Sequence, residues 1–142
     1  MAAQKDAAVT VPPQVTLAFT SRFPSVLLKK WELNNEEYIA SFIWNSNCSL
    51  AYYTSNGEWI KTETFIRRKK NLPAAVRQGL RESPYSSWFV DKILETQSNN
   101  QQMLTIDVSE FYNYEEGQRE VRRLFFSEEG KLTKEEKLPM TR

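Results

Sequence analysis

Histidine is absent from the 142 residues, cysteine occurs once and glycine only four times. Without histidine the chain lacks the commonest general base, the commonest metal ligand and any Ser-His or Cys-His nucleophile pair. A lone Cys48 excludes an intrachain disulfide and a multi-cysteine zinc site, and it reads as a half-buried, inert thiol. With so few glycines there is no G-x-S-x-G, phosphate loop or G-x-G-x-x-G in any form. Nor is there an excess of charge, since Lys+Arg 19 against Asp+Glu 18 leaves a net +1. The basic field with which nucleic-acid binders neutralise phosphates is missing. No run approaches the ~18 apolar residues that cross a bilayer. Lys5 and Asp6 interrupt the place where an export signal would carry its apolar core, so residues 1–10 read as a flexible leader. A mature form with its signal removed and a start Met added would look the same.

Acids are present in pairs, Glu36-Glu37, Glu115-Glu116, Glu128-Glu129 and Glu135-Glu136, each in or beside an expected turn or strand end. A hydrolytic dyad needs two carboxylates facing each other across a cleft, and solvated pairs do not supply that. Asp107 alone sits among apolar neighbours, in "TIDVS", and alternation points it away from inward Ile106 and Val108. The expectation is a protein that is not an enzyme and uses no cofactor or metal.

What the chain does have is aromatic residues, 13% of the total, and a pattern written twice. "VPPQVTLAF" at Val11–Phe19 is echoed by "LPAAVRQGL" at Leu72–Leu80, with Pro12 and Pro73 separated by 61 residues (73 − 12). Val11, Val15, Ala18, Phe19 and Phe23 lie on one helical face, as do Leu72, Val76, Gly79 and Leu80. Proline stands near the first turn of each helix, and Pro24 and Pro84 stop them.

Four strands follow each helix. The first set is Val26–Leu33, Glu37–Trp44, Asn47–Thr54 and Glu58–Ile66; the second is Trp88–Gln97, Gln101–Phe111, Arg119–Phe126 and Lys131–Leu138. Asn-rich and Gly-containing turns divide them. "YYTSNGEW" matches "FFSEEGKL", aligning Gly57 with Gly130 at an offset of 73 (130 − 57). The second unit therefore carries about twelve extra residues (73 − 61), around Ser109–Glu120. The resulting organisation is a leader at 1–10, a first unit at 11–66, a basic linker at 67–71 and a second unit at 72–138. The run Arg67-Arg68-Lys69-Lys70 is read as solvated linker. Alone, a unit of this size buries little core; two side by side make one longer antiparallel sheet carrying both helices on one face, an α+β fold.

This ordered set resembles the β-lactamase-inhibitor-like, PepSY-like proteins exported by Gram-negative bacteria. The residues that carry the resemblance are the [V/L]-P-x-x-V helix starts, Phe23-Pro24, the Trp strand "KKWEL" (Lys29–Leu33), "YIASF" (Tyr38–Phe42) and the aromatic-x-x-x-Gly hairpin Tyr53–Gly57. In the second unit Pro84-Tyr85 reverses the aromatic-Pro order, and "QMLTI" (Gln102–Ile106) lacks the strand aromatics. The resemblance implies a fold like that of the β-lactamase inhibitor protein and a periplasmic or cell-surface location. It supplies no catalytic or inhibitory residue, because no loop motif here matches the true inhibitor's.

Alternation puts Tyr38, Ala40, Phe42, Ala51 and Tyr53 under the first helix, with Trp59 across the next hairpin. The other face then carries Ile39, Ile43, Leu50, Tyr52 and Ile60, where a one-sided sheet should be polar. Either another element covers these residues or they form a surface for a protein or peptide partner. The comparable positions of the second unit, Met103, Thr105, Arg123 and Phe125, are more polar. The expected function is a non-enzymatic exported protein-binding module, an inhibitor or restraining partner of another envelope protein. The alternative is a carrier enclosing a small apolar ligand.

Overall fold

The computed structural model describes residues 9–110 and 120–139. It contains two α-helices, α1 (Pro13–Arg22) and α2 (Ala74–Arg81), and eight strands. The strands are β1 (Leu27–Asn34), β2 (Glu37–Trp44), β3 (Asn47–Tyr53), β4 (Trp59–Phe65), β5 (Phe89–Ser98), β6 (Gln101–Ser109), β7 (Val121–Ser127) and β8 (Leu132–Leu138). Their order is β1-β2-β3-β4-β5-β6-β7-β8, an eight-stranded antiparallel meander. By contact density the chain divides into two compact units, Met1–Glu63 and Thr64–Arg142.

In the first unit the connections are as tight as the sequence demands. Asn35 and Glu36, and again Asn45 and Ser46, all have positive φ, between 53 and 67°. That is the two-residue hairpin turn whose twist suits antiparallel strands. β3 leads to β4 through Thr54–Glu58, where the Gly57 N–H donates to Thr54 O at 3.0 Å and Gly57 sits at φ 90°. A side chain there would meet the backbone of the helix, since a Cβ built on Gly57 comes within 2.7 Å of Gln14 O. The Gln14 side-chain amide also donates to Ser55 O at 3.0 Å, which ties the first turn of α1 to this hairpin.

α1 then lays Val15 and Phe19 on the sheet. Val15, Phe19, Phe23, Ala40, Phe42, Ala51 and Tyr53 form one buried cluster, rimmed by Trp31, Tyr38, Trp44 and Trp59. The small Ala40 and Ala51, paired across β2 and β3, make room for the rings. Phe19 is 5.2–5.5 Å from the rings of Phe42, Trp31 and Phe23, and 6.4 Å from Tyr53. Edge-on and tilted contacts of this kind add to the area they bury.

The second unit follows the same plan with different side chains. Leu72, Val76 and Leu80 pack on Ile93, Leu104, Ile106, Val108, Leu124 and Phe126. Gly130, at φ 87°, lies against Ala75 O as Gly57 lies against Gln14 O, in each case two residues beyond the proline that precedes the helix. Gly79 of α2 abuts Gly130 O, so aliphatic cover is replaced here by backbone contact. Within residues 67–71, Arg68 is extended and Lys69–Asn71 form one 3-10 turn, and the next residue, Leu72, is buried. The segment around Ser109–Glu120, where the extra residues were expected, is closed by Glu110 N–H donating to Glu120 O at 3.0 Å. Its middle, with Glu115-Glu116, lies outside the described residues, as do residues 1–8 of the expected leader.

Two predictions come from the first core. Phe19→Ala, at a position 3% exposed, costs about 3–5 kcal/mol in urea unfolding. Leu17→Ala on the open side of α1, at 67% exposure, changes stability by less than about 0.5 kcal/mol. Equal midpoints for the two variants would contradict the packing. The second concerns Tyr53, whose hydroxyl is buried and has no hydrogen-bond partner among the described residues. Burial pushes its phenol up to about 12, against a smaller opposing pull from Arg22. A folded-state value above the unfolded one, ~10, means that the contribution is intact below about pH 10 and is lost as pH rises towards 12. Stability should therefore fall across that window, and less steeply in Tyr53→Phe. Parallel pH profiles for the two proteins would refute it.

Candidate functional site

Away from α1, the first unit's sheet presents every second side chain. Register places Ile43 beside Leu27 and Cys48, Ser41 beside Lys30 and Leu50, and Ile39 beside Glu32 and Tyr52. Of the five residues that the sequence marks on this face, Ile39, Ile43, Leu50 and Tyr52 fall into these three rows. Ile60 does not fall into step with them. Trp59 lies 3.6 Å beneath the Arg22 guanidinium of α1 and its indole N–H donates to Thr62 Oγ1 at 2.8 Å, whereas Lys61 and Glu63 meet Tyr52. The side-chain direction therefore slips between Trp59 and Lys61, at Ile60. β7 and β8 show the same irregularity, where Phe125 pairs with Lys134 but Phe126 pairs with Leu132, leaving Thr133 unmatched.

The rows differ in what they offer. Ile39 is buried, at 7% exposure, because its row is roofed by polar groups. The Tyr52 hydroxyl donates to Glu63 Oε1 at 2.8 Å, Lys61 lies 4.6 Å over the Tyr52 ring, and Lys30 pairs with Glu32 at 3.0 Å. Burial, aided by the bond to Glu63, raises the Tyr52 phenol well above its ordinary value. The open apolar part is elsewhere: Leu27, 69% exposed, with Ile43 and Leu50, both half-buried. Cys48 in the Ile43 row is exposed rather than half-buried, because it sits one residue from the hairpin turn with little beyond it.

Leu27 is the residue that sequence reasoning missed. Counting back from inward Trp31 by strict alternation puts Leu27 under the helix. A bulge between Leu28 and Lys30 inserts one extra residue and turns Leu27 to the opposite face.

The matching face of the second unit is charged. Lys92, Asp107, Arg123 and Glu136 stand opposite one another on β5 to β8, alternating in sign. Asp107 points to the face expected for it but is buried, 8% exposed, because Arg123 clamps it with bonds of 2.8 and 3.0 Å. That clamp raises the Arg123 guanidinium above its ordinary value. Next to it Thr105 pairs with Phe125, over which Lys134 lies at 5.2 Å.

Two cavities lie in the second unit. One of about 300 Å³ is lined by Ile66, Trp88, Phe89, Val90 and Ile93 with Arg67, Lys69, Asp91 and Lys92 at its edges. The other, about 230 Å³, is bounded by Lys69, Lys70, Arg77, Leu80, Arg81 and Ser86. Neither is lined by the aromatic residues of the first unit. Among the described residues no three His, Cys, Asp or Glu side chains converge as a metal site, and no helix is long and apolar enough to cross a membrane.

Known structures share this architecture. A BLIP-like protein from Bacteroides fragilis superposes with a TM-score of 0.81 at 22% identity, over 98% of this chain and 94% of its own. A DUF2874 family protein from Bacteroides ovatus gives a TM-score of 0.77 at 22% identity, over 92% and 89%. A predicted periplasmic protein from Bacteroides eggerthii gives 0.73 at 20% identity, over 91% and 90%. No family model matches the sequence, and neither does any curated protein. At these identities the likeness establishes a BLIP-like fold and leaves activity to be argued from the surface itself.

Proposed function

We propose that the chain is a non-enzymatic, exported protein-binding module that inhibits or restrains another protein of the cell envelope. The observation that carries this reading is the open apolar group Leu27, Ile43 and Leu50 on the sheet face that α1 leaves uncovered. Its polar border, Lys30, Glu32, Lys61 and Glu63, has the anatomy of an interface with an apolar centre and a charged rim. The BLIP-like fold of its structural neighbours and the predicted periplasmic location of one of them favour the same reading. So does the sequence resemblance to PepSY-like proteins. Ile39 lies on the same face, covered by its polar neighbours, and Ile60 lies outside the regular rows. The larger cavity has apolar walls, but the charged side chains around its edges weigh against the carrier.

The test is capture from periplasmic extract on the immobilised chain. Leu27→Asp/Ile43→Asp should lose the captured protein while its thermal midpoint stays within a few degrees of the parent's, because substitutions on the open face cost little. A control, Lys137→Glu on β8, should retain capture. If the double variant captures as well as the parent, the patch is not the binding surface.

A further inference from the structure

We infer that the second unit carries an anion site of its own, independent of the apolar surface, built to hold a phosphate monoester group. The cavity of about 230 Å³ is bounded by four cations, Lys69, Lys70, Arg77 and Arg81, together with Leu80 and Ser86. None of the four is ion-paired to a carboxylate among the described residues. The nearest acid in sequence, Glu82, instead accepts a 2.5 Å bond from the Gln78 amide, and Gln78 accepts another from Arg81. Gln78 thus holds the Arg81 guanidinium in place without neutralising it. Arg77 Nε is buried and has no hydrogen-bond partner among the described residues.

The backbone that carries these side chains is held by bonds of its own. Lys69 and Lys70 belong to the 3-10 turn, held by Asn71 N–H to Arg68 O at 2.9 Å and Leu72 N–H to Lys69 O at 3.1 Å, and anchored by buried Leu72. Arg77 and Arg81 stand four apart on α2, so they share a helix face next to the buried Val76 and Leu80. Ser86 comes from the turn after α2, pinned by buried Tyr85, whose hydroxyl donates to Glu135 Oε1 at 2.5 Å.

Four like charges around one small cavity repel one another, and a multivalent anion relieves that repulsion. A carboxylate brings one charge and two acceptor oxygens. A phosphate monoester brings up to two charges and three free oxygens, a better match to two guanidinium forks and two ammonium groups. Leu80 and the methylene stems of the lysines and arginines give the cavity an apolar floor, which suits a phosphate carried on an alkyl body.

Hexyl phosphate, inorganic phosphate and hexanoate, titrated at constant ionic strength and followed by backbone amide shifts, test the site. Expected is saturable binding of hexyl phosphate, with shifts concentrated at Lys69–Arg81 and Ser86, at least about tenfold tighter than hexanoate. Tighter binding of hexyl than of inorganic phosphate identifies an amphiphile headgroup as the source, whereas equal binding identifies free phosphate. Arg77→Gln and, separately, the exposed Lys70→Gln should each weaken binding while leaving the circular dichroism unchanged, since each removes a repelling charge. The inference is overturned if neither phosphate saturates into the millimolar range, if hexanoate binds as tightly, or if both variants bind like the parent.

Discussion

The structure depends on one close approach repeated twice: a hairpin glycine in left-handed conformation pressed against a carbonyl in the first turn of a helix. Gly57 meets Gln14 in this way and Gly130 meets Ala75. Helices of ten and eight residues are too short to persist alone in water. Neither has a side-chain cap at its N-terminus, where Pro12 and Pro73 stand. Each is therefore held by what it lies on, and the glycine sets how closely it lies. A side chain at either glycine would lift the helix start off the sheet and open the cluster beneath it. The aromatic packing around Phe19 and the aliphatic packing around Val76 and Leu80 are both consequences of that contact.

The two units satisfy the same constraint with different chemistry, and this is where their functional potential diverges. The first spends its aromatic residues beneath α1 and keeps an apolar group on its other face. The second packs mostly aliphatic residues, with Phe126 among them, beneath α2 and carries charge outside, as the ladder from Lys92 to Glu136 and as the cations around α2.

Much of the fold was legible in the sequence because turn chemistry is local. Asn45-Ser46, Ser55-Asn56-Gly57 and Ser127–Gly130 announce their hairpins, and the proline pairs bracket the helices, so the elements lie within two residues of where the sequence puts them. The surface was less legible, because bulges have no side-chain signature. One extra residue between Leu28 and Lys30 turned Leu27 outward, and the side-chain direction slips in β4 between Trp59 and Lys61. The run Arg67–Lys70 looks like solvated linker when read alone. Its relation to Arg77 and Arg81 exists only once the 3-10 turn folds it back towards α2.

The alternating ladder of Lys92, Asp107, Arg123 and Glu136 also bears on how the second unit assembles. Suppose β7 docked on β6 two residues out of place, keeping every side chain on its proper face. Asp107 would then stand opposite Val121 or Phe125, and Arg123 would no longer face it across the strands. The hydrophobic pattern alone cannot distinguish such a slipped pairing from the native one, since both bury apolar residues beneath the helix. The charge ladder can, because only the native register sets Asp107 opposite Arg123 and Arg123 opposite Glu136.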